Sequence, residues 1–261
     1  MTYEHLLSEK KGPALVLTIN REEARNAINP AVMAELIDGV RVAKEDEEVR
    51  CIVITGVGDR AFCAGGDLGG GQGMAGGAIS QHFQRTLLSE LFLEMRSCGK
   101  PVIARVNGHA LGGGFGLALA CDLIVASDAA EFGTPEINVG LWPYVITAVI
   151  QRNVPTKVAL EMMMLGKRML AGEAERWGFV NRVVPAEDLD TEIDAVVSEL
   201  ASKSPVIMRL GKDSFYAASD MDIEKALKYL ENQLSIGLQA EDVAEGIAAF
   251  FQKRKPEWKG R

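Results

Sequence analysis

Short apolar runs rich in β-branched residues alternate with helical patterns in the first two-thirds of the chain. These runs predict strands over 14–19, 50–55, 102–106 and 123–125. Apolar residues at helical spacing predict helices over 30–44, 79–95 and 115–120, the first one capped by Asn29 with Pro30 at its first position. Such alternation indicates an α/β fold with a mostly parallel, crossover-connected sheet.

Helical patterns dominate beyond residue 144, and from about Asp188 the pattern is almost entirely helical. Helical spacing continues over 144–152, 156–165, 171–177, 191–202, 206–218, 223–238 and 242–251. A last short strand is predicted over 179–184, between the third and fourth of these segments. We therefore expect a core over residues 1–195 and a C-terminal helical region over residues 196–261.

Two glycine turns stand next to predicted strands. Gly112, Gly113 and Gly114 lead into the helix after strand 102–106, and Gly65 and Gly66 follow the apolar Phe62-Cys63 pair. Glycines at a strand-to-helix turn let a ligand approach the backbone and leave N–H groups free at a positive helix end. Tight packing of helix against sheet would also favour small residues. The glycine-rich stretch 69–77 is expected to be a mobile loop beside the site, or otherwise a surface connection.

Glu136 is the carboxylate that could act together with these glycine turns. Lone glutamates are usually solvated, but Glu136 lies among Pro135, Ile137, Val139 and other apolar residues, so partial burial with a raised pKa is expected. Two backbone N–H donors from different loops can hold a carbonyl oxygen as it gains negative charge, each contributing about 3 kcal/mol. A sheltered glutamate can move a proton near neutral pH. Together these groups suit proton transfer next to a carbonyl through an enolate.

Composition narrows the function classes. The 261 residues are 48% hydrophobic and 25% charged with a formal charge of −8, which disfavours nucleic acid or an anionic membrane as main partner. Cys51, Cys63, Cys98 and Cys121 lack metal-ligand spacing and are expected to be reduced thiols. Without a signal peptide or a membrane-length apolar run, a soluble cytoplasmic protein is expected. No motif for a nucleophilic serine, a phosphate-binding lysine or a metal is present, so no metal and no permanently bound cofactor is expected.

Seven motifs in order resemble the crotonase superfamily, the enoyl-CoA hydratase/isomerase family, over essentially the whole chain. They begin at Asn20-Arg21, Ala61-Phe62, Ala110-Leu111, Cys121-Asp122, Phe132-Gly133, Trp177-Gly178 and Glu245-Gly246. The resemblance implies a crotonase-like ββα spiral core, with a C-terminal helical region that drives trimerisation, commonly as a dimer of trimers. It also implies an acyl-CoA substrate, with coenzyme A present as part of the thioester.

The resemblance also implies roles for individual residues. The oxyanion hole matches the N–H groups of Gly66 and Gly113, and the acid/base in the Pro-Glu loop matches Glu136. The positions implied for coenzyme A are Ala24, Arg25, Ala64, Asp67 and Leu68, with Phe250 and Lys253 able to reach it in the same or a neighbouring subunit.

One position departs from the family pattern. Hydratases of the family use a second glutamate, which falls at Gly116, three residues past Gly113 and so expected on the helix face beside the oxyanion hole. Isomerases that move a double bond between the 3- and 2-positions need only the glutamate at 136. We therefore expect isomerisation, with hydration as the alternative if Asp67, His82 or Tyr144 substitutes for the missing group. A catalytically idle acyl-CoA-binding oligomer is the non-enzyme alternative.

Overall fold

The structure is a computed structural model that describes residues 3–67 and 78–261, with the side chains of residues 78–85 left out. Leu68, the stretch 69–77 and the side chain of His82, all singled out in the sequence, lie outside the described residues.

The larger sheet has six strands within the described residues. In spatial order they are β1 (Leu6–Lys11), β2 (Ala14–Ile19), β3 (Cys51–Gly56), β5 (Val102–Val106), β7 (Leu123–Ser127) and β10 (Arg182–Val184). β1 pairs antiparallel with β2 and every other pairing is parallel, which confirms the predicted parallel sheet. The predicted first strand, 14–19, is therefore the second, because β1 buries only Leu6 and gives no apolar run. The strand predicted over 179–184 is confined to its last three residues.

A smaller sheet of short strands lies beside the first. The described part of the chain places four strands in it, in the order β4 (Ala61–Cys63), β6 (His109–Leu111), β8 (Glu131–Gly133) and β9 (Arg168–Leu170). From β3 to β8, successive strands of the chain alternate between the two sheets: β3 is followed by β4, β5 by β6, and β7 by β8. This alternation gives repeated ββ units, as the resemblance to the crotonase superfamily implies.

Helices follow these units and form the end of the chain. The described helices are α1 (Pro30–Glu45), α2 (Ala78–Ser97), α3 (Gly113–Ala120), α4 (Tyr144–Asn153), α5 (Thr156–Leu165), α6 (Ala171–Arg176), α7 (Leu189–Ala201), α8 (Pro205–Ala218), α9 (Ile223–Gly237) and α10 (Glu241–Gln252). The side chain of Asn29 accepts a hydrogen bond from the N–H of Val32, as the predicted cap should. α7 spans position 195, so the division at 195/196 stays a prediction. None of the described helices is long and apolar enough to cross a membrane.

Three phenylalanines fix α3 against the smaller sheet. Phe115 on α3, Phe132 on β8 and Phe179 after α6 form a triangle with ring centroids 5.8, 5.8 and 6.0 Å apart. Tilted and edge-on ring pairs at such distances are favourable beyond the area that they bury. The glycine turn before α3 and the loop after β8 are therefore held to one common core. All four cysteines are buried and free, as expected.

A buried ion pair joins the C-terminal helices to this core. The Lys212 ammonium on α8 donates to Asp122 at 2.6 Å and to the carbonyl oxygens of Met95 and Lys100, both at 2.8 Å. Asp122 also accepts from the hydroxyl of Tyr216 at 2.7 Å. Burial, followed by the charge of Asp122, raises the pKa of Tyr216, so this phenol stays neutral and donates.

We expect Lys212→Met to destabilise the protein strongly. Removing one partner of a buried pair leaves the other charge uncompensated, which costs about 3 kcal/mol or more. Denaturant unfolding would measure the loss. The matched control is Lys228→Met on α9, where Lys228 pairs with Glu224 at the surface and should contribute little. Equal losses in the two variants would contradict the role given to Lys212.

Candidate active site

The start of α3 rests directly on the backbone of β4. A methyl group added to Gly114 would lie 2.1 Å from the carbonyl oxygen of Cys63, so only glycine permits this approach. Gly112, just before the helix, has a φ of +54°, in the region that other residues rarely adopt. The close backbone contact therefore requires glycine at this turn. The turn combines tight packing of the helix with a free N–H group at the helix end.

The two glycine turns meet at this point. A methyl group on Gly113 would lie 3.6 Å from the nitrogen of Gly66, and one on Gly65 would lie 3.5 Å from the nitrogen of Gly113. Gly113 is the first residue of α3, whose N–H has no partner within the helix. In the described hydrogen bonds, neither Gly66 nor Gly113 uses its N–H as a donor. Two free N–H groups from separate loops thus lie close together at a positive helix end.

Glu136 reaches the same place from the loop after β8. It lies in a 3-10 helix, Pro135–Val139, and its Oε1 is 2.7 Å from where a side chain on Gly112 would begin. Its Oε2 is buried and has no hydrogen-bond partner among the described residues. Burial raises the pKa of Glu136. The hydroxyl of Thr134, two residues earlier, is likewise buried without a partner in the described structure.

An ion pair clamps the turn that carries Gly66. Arg21 donates to Asp67 at 2.8 Å and to the carbonyl oxygen of Ala27 at 2.6 Å. The N–H of Ile28 donates to the carbonyl oxygen of Gly65, and the carbonyl oxygen of Ile28 accepts from the N–H of Asp67. These two hydrogen bonds form a β-bridge between Ile28 and Gly66. The sequence showed Arg21 only as part of a motif, because its partner is 46 residues away. The clamp fixes the direction of the Gly66 N–H.

The residues predicted to bind coenzyme A lie partly together. The carbonyl oxygen of Arg25 accepts from the N–H of Ala64 at 3.0 Å, so the segment with Ala24 and Arg25 borders the segment with Ala64 and Asp67. Their contacts with coenzyme A remain predictions.

Phe250 and Lys253, also predicted to reach coenzyme A, are exposed at the end of α10. The described contacts do not join them to the glycine turns.

Gly116 has apolar side chains beside it. A methyl group there would lie 2.1 Å from Cγ2 of Ile146 and 3.3 Å from the ring of Phe92. That position 116 lies beside the oxyanion hole stays a prediction, and in this chain Ile146 fills the space that a side chain there would need. Among the possible substitutes, Asp67 is paired with Arg21 and Tyr144 is exposed at the start of α4.

The chain is similar to known proteins over nearly its whole length. The sequence profile of a family described as enoyl-CoA hydratase/isomerase matches residues 9–261. The carnitinyl-CoA dehydratase of Proteus mirabilis is 37% identical over 257 residues, covering 96% of this chain and 97% of that protein. A probable enoyl-CoA hydratase of Mycobacterium tuberculosis is 35% identical over 262 residues, with 100% of both chains covered. The crystal structure of an enoyl-CoA hydratase from Mycobacterium smegmatis superposes with a TM-score of 0.93 at 35% identity, covering 98% of this chain and 99% of that one.

The raised pKa of Glu136 predicts a pH dependence of stability. Between the ordinary value of 4.5 and the raised value, the folded chain binds more protons at this group than the unfolded chain. The free energy of unfolding of the wild type should therefore fall, relative to Glu136→Gln, as the pH rises through this window. Denaturant unfolding at several pH values would measure the difference.

Glu245→Gln is a control of opposite sign. Arg254 lowers the pKa of Glu245 to about 2, so this carboxylate stabilises the fold above about pH 4.5 and loses that effect as the pH falls toward 2. The wild type should gain stability relative to this variant as the pH rises. If the difference in free energy of unfolding between the wild type and Glu136→Gln did not change with pH, the pKa of Glu136 would not be raised by burial.

Proposed function

Because the chain belongs to the enoyl-CoA hydratase/isomerase family, we propose that it moves the double bond of an enoyl-CoA between the 3- and 2-positions, with Glu136 as single acid and base. One observation carries the proposal. Glu136 is half-buried beside the turn that carries the free N–H of Gly113, and its Oε2 is unpaired among the described residues, whereas Gly116, where a second carboxylate would stand, faces apolar side chains.

The N–H groups of Gly66 and Gly113 would bind the thioester oxygen. Both donors are backbone groups held by packing and by the Arg21–Asp67 pair, so they need no rearrangement when negative charge develops. Each such donor supplies about 3 kcal/mol of transition-state stabilisation. Coenzyme A, as part of the substrate, would lie along Ala24, Arg25, Ala64 and Asp67, and the reaction uses no further cofactor.

Glu136 would carry the proton between two carbons. Its carboxylate takes a proton from C2 of a 3-enoyl thioester, and the electron pair of that C–H bond delocalises onto the thioester oxygen. The protonated Glu136 then delivers a proton to C4, which leaves the double bond between C2 and C3. Exchange of the carboxyl proton with water before this delivery brings a solvent proton into the product. Burial raises the pKa of Glu136, which favours the protonated state that the second step uses.

Hydration of a 2-enoyl thioester is the second candidate. It is favoured by the names of the relatives, which are hydratases or dehydratases. Hydration needs a group that holds and activates water besides the group that protonates C2. The two reactions differ in a measurable way, because hydration adds a water to the substrate and isomerisation does not.

We expect a trans-2-enoyl-CoA in heavy water to take up deuterium without gaining a whole water, as mass spectrometry would show. Glu136→Gln should slow this exchange by about 10²- to 10⁴-fold, because a general acid and base is lost, while coenzyme A binding stays near the wild-type value. Glu131→Gln is the control, since Glu131 lies on β8 and pairs with Arg168. Gain of heavy water by the wild type would establish hydration, and an unchanged substrate would contradict both reactions.

We also propose that the C-terminal helices bind other copies of the chain, as a trimer or a dimer of trimers. α9 exposes apolar residues along one face, namely Ile223, Leu227, Leu230 and Leu234. α10 exposes Ile247, Phe250 and Phe251. An exposed apolar surface of this extent on adjoining helices is typical of a protein interface.

Light scattering would test this assembly. The wild type should have a mass three or six times that of the 28.2 kDa chain. Leu234→Glu should lower it, because the substitution places a charge in the apolar face. Lys228→Glu, also on exposed α9, is the control and should keep the wild-type mass. A monomeric wild type would contradict the proposal.

A further inference from the structure

Ile146 of α4 occupies the space beside Gly116 on α3. A methyl group on Gly116 would lie 2.1 Å from Cγ2 and 2.7 Å from Cβ of Ile146, and Cζ of Phe92 is 3.3 Å away. Ile146 is only 3% exposed, so it is held in the core and has little freedom to turn aside. We call Ile146 and Phe92 the apolar wall.

The apolar wall lies one turn along α3 from the glycine turn that faces Glu136. Gly112, the residue before α3, has Glu136 at its side-chain position, and its carbonyl oxygen accepts from the N–H of Gly116 at 3.0 Å. Gly113 and Gly116 are both in α3, three residues apart, and so are neighbours on the helix surface. The free N–H of Gly113 belongs to the same turn. A substrate held at this N–H therefore has the carboxylate on one side and apolar side chains one turn further along.

This arrangement decides which reagent can meet the reactive carbons. An ordered water needs two to four polar partners, and Ile146, Phe92 and a glycine without side chain offer none. Glu136, beside the same turn, can still move a proton. Addition of water to C3 of a 2-enoyl thioester is therefore disfavoured here, whereas proton transfer between C2 and C4 is not.

We propose that Ile146 is a specificity-determining residue that keeps water from the reactive carbons and so favours isomerisation over hydration. The inference rests on the proposed function and deepens it, because it assigns the choice of reaction to a residue of α4. Ile146 does not transfer protons.

The test is a set of four variants. Ile146→Ala opens space beside Gly116, and Gly116→Glu with Ile146→Ala places a carboxylate in that space. Ile150→Ala is the matched control, since Ile150 is one turn further along α4, is also buried and loses the same atoms. Gly116→Glu alone completes the set.

Product analysis in ¹⁸O-labelled water gives the ratio of hydration to isomerisation. We expect about a tenfold rise in this ratio for Ile146→Ala and a further rise for the double variant, because a positioned acid and base adds 10²-fold or more. Ile150→Ala should keep the wild-type ratio. An unchanged ratio in both Ile146→Ala and the double variant would overturn the inference, as would a wild type that hydrates faster than it isomerises. Where Ile146→Ala fails to fold, Ile146→Val gives a smaller opening and the same direction of change.

Thermal unfolding tests the geometry without any activity. Gly116→Glu should lower the melting temperature sharply because it collides with Ile146, and adding Ile146→Ala should restore part of that loss. No restoration would contradict the apolar wall even if Glu136 shuttles protons. Restoration in a protein that shuttles no proton would support the wall and remove the proposed function, so the two failures are distinguishable.

Discussion

Direct contact between the backbones of α3 and β4 is the constraint on which the site depends. Because the start of α3 lies against the carbonyl oxygen of Cys63, the N–H groups of Gly113 and Gly66 come within reach of one ligand atom. A side chain at Gly114 would push the helix away from the strand and separate these donors. The phenylalanine triangle below and the Arg21–Asp67 pair beside the turn hold the contact in place. The donors are thus fixed by packing before any substrate arrives, which is what stabilisation of a developing charge requires.

Two partly buried carboxylates of the chain differ in the partners that compensate their burial. Asp122 is partly buried with Lys212, Tyr216 and a backbone N–H as partners, so its charge is satisfied and joins the C-terminal helices to the core. Glu136 is half-buried, and its buried Oε2 has no partner in the described structure. A carboxylate left in this condition costs stability, and groups of this kind concentrate at functional sites. The raised pKa of Glu136 reflects this loss of stability and can be measured.

The sequence predicts the long elements and the chemistry-bearing residues better than the contacts that connect them. β2, β3, β5 and β7 are apolar on both faces and stand out, whereas β4, β6, β8 and β9 have three residues each, too few for any periodicity. β1 is an edge strand with one buried residue and gives no apolar signal. Gly66, Gly113 and Glu136 are singled out in the sequence because glycine turns and a glutamate with apolar neighbours are local features. Two contacts depend on how distant segments pack and cannot be predicted from a local pattern. They are the Arg21–Asp67 pair and the contact of Ile146 with Gly116.

The glycine at 116 and the isoleucine at 146 form one structural unit. A glutamate at 116 collides with Ile146, and a smaller residue at 146 would leave a cavity beside Gly116, so a single change at either position is unfavourable. Restoring a second carboxylate therefore requires changes on two helices at once. Because of this coupling, conversion of the chain to a two-carboxylate enzyme would need more than the one substitution that the motif shows. It also explains how a chain can keep both glycine turns and Glu136 while the next turn of the same helix lies against apolar side chains.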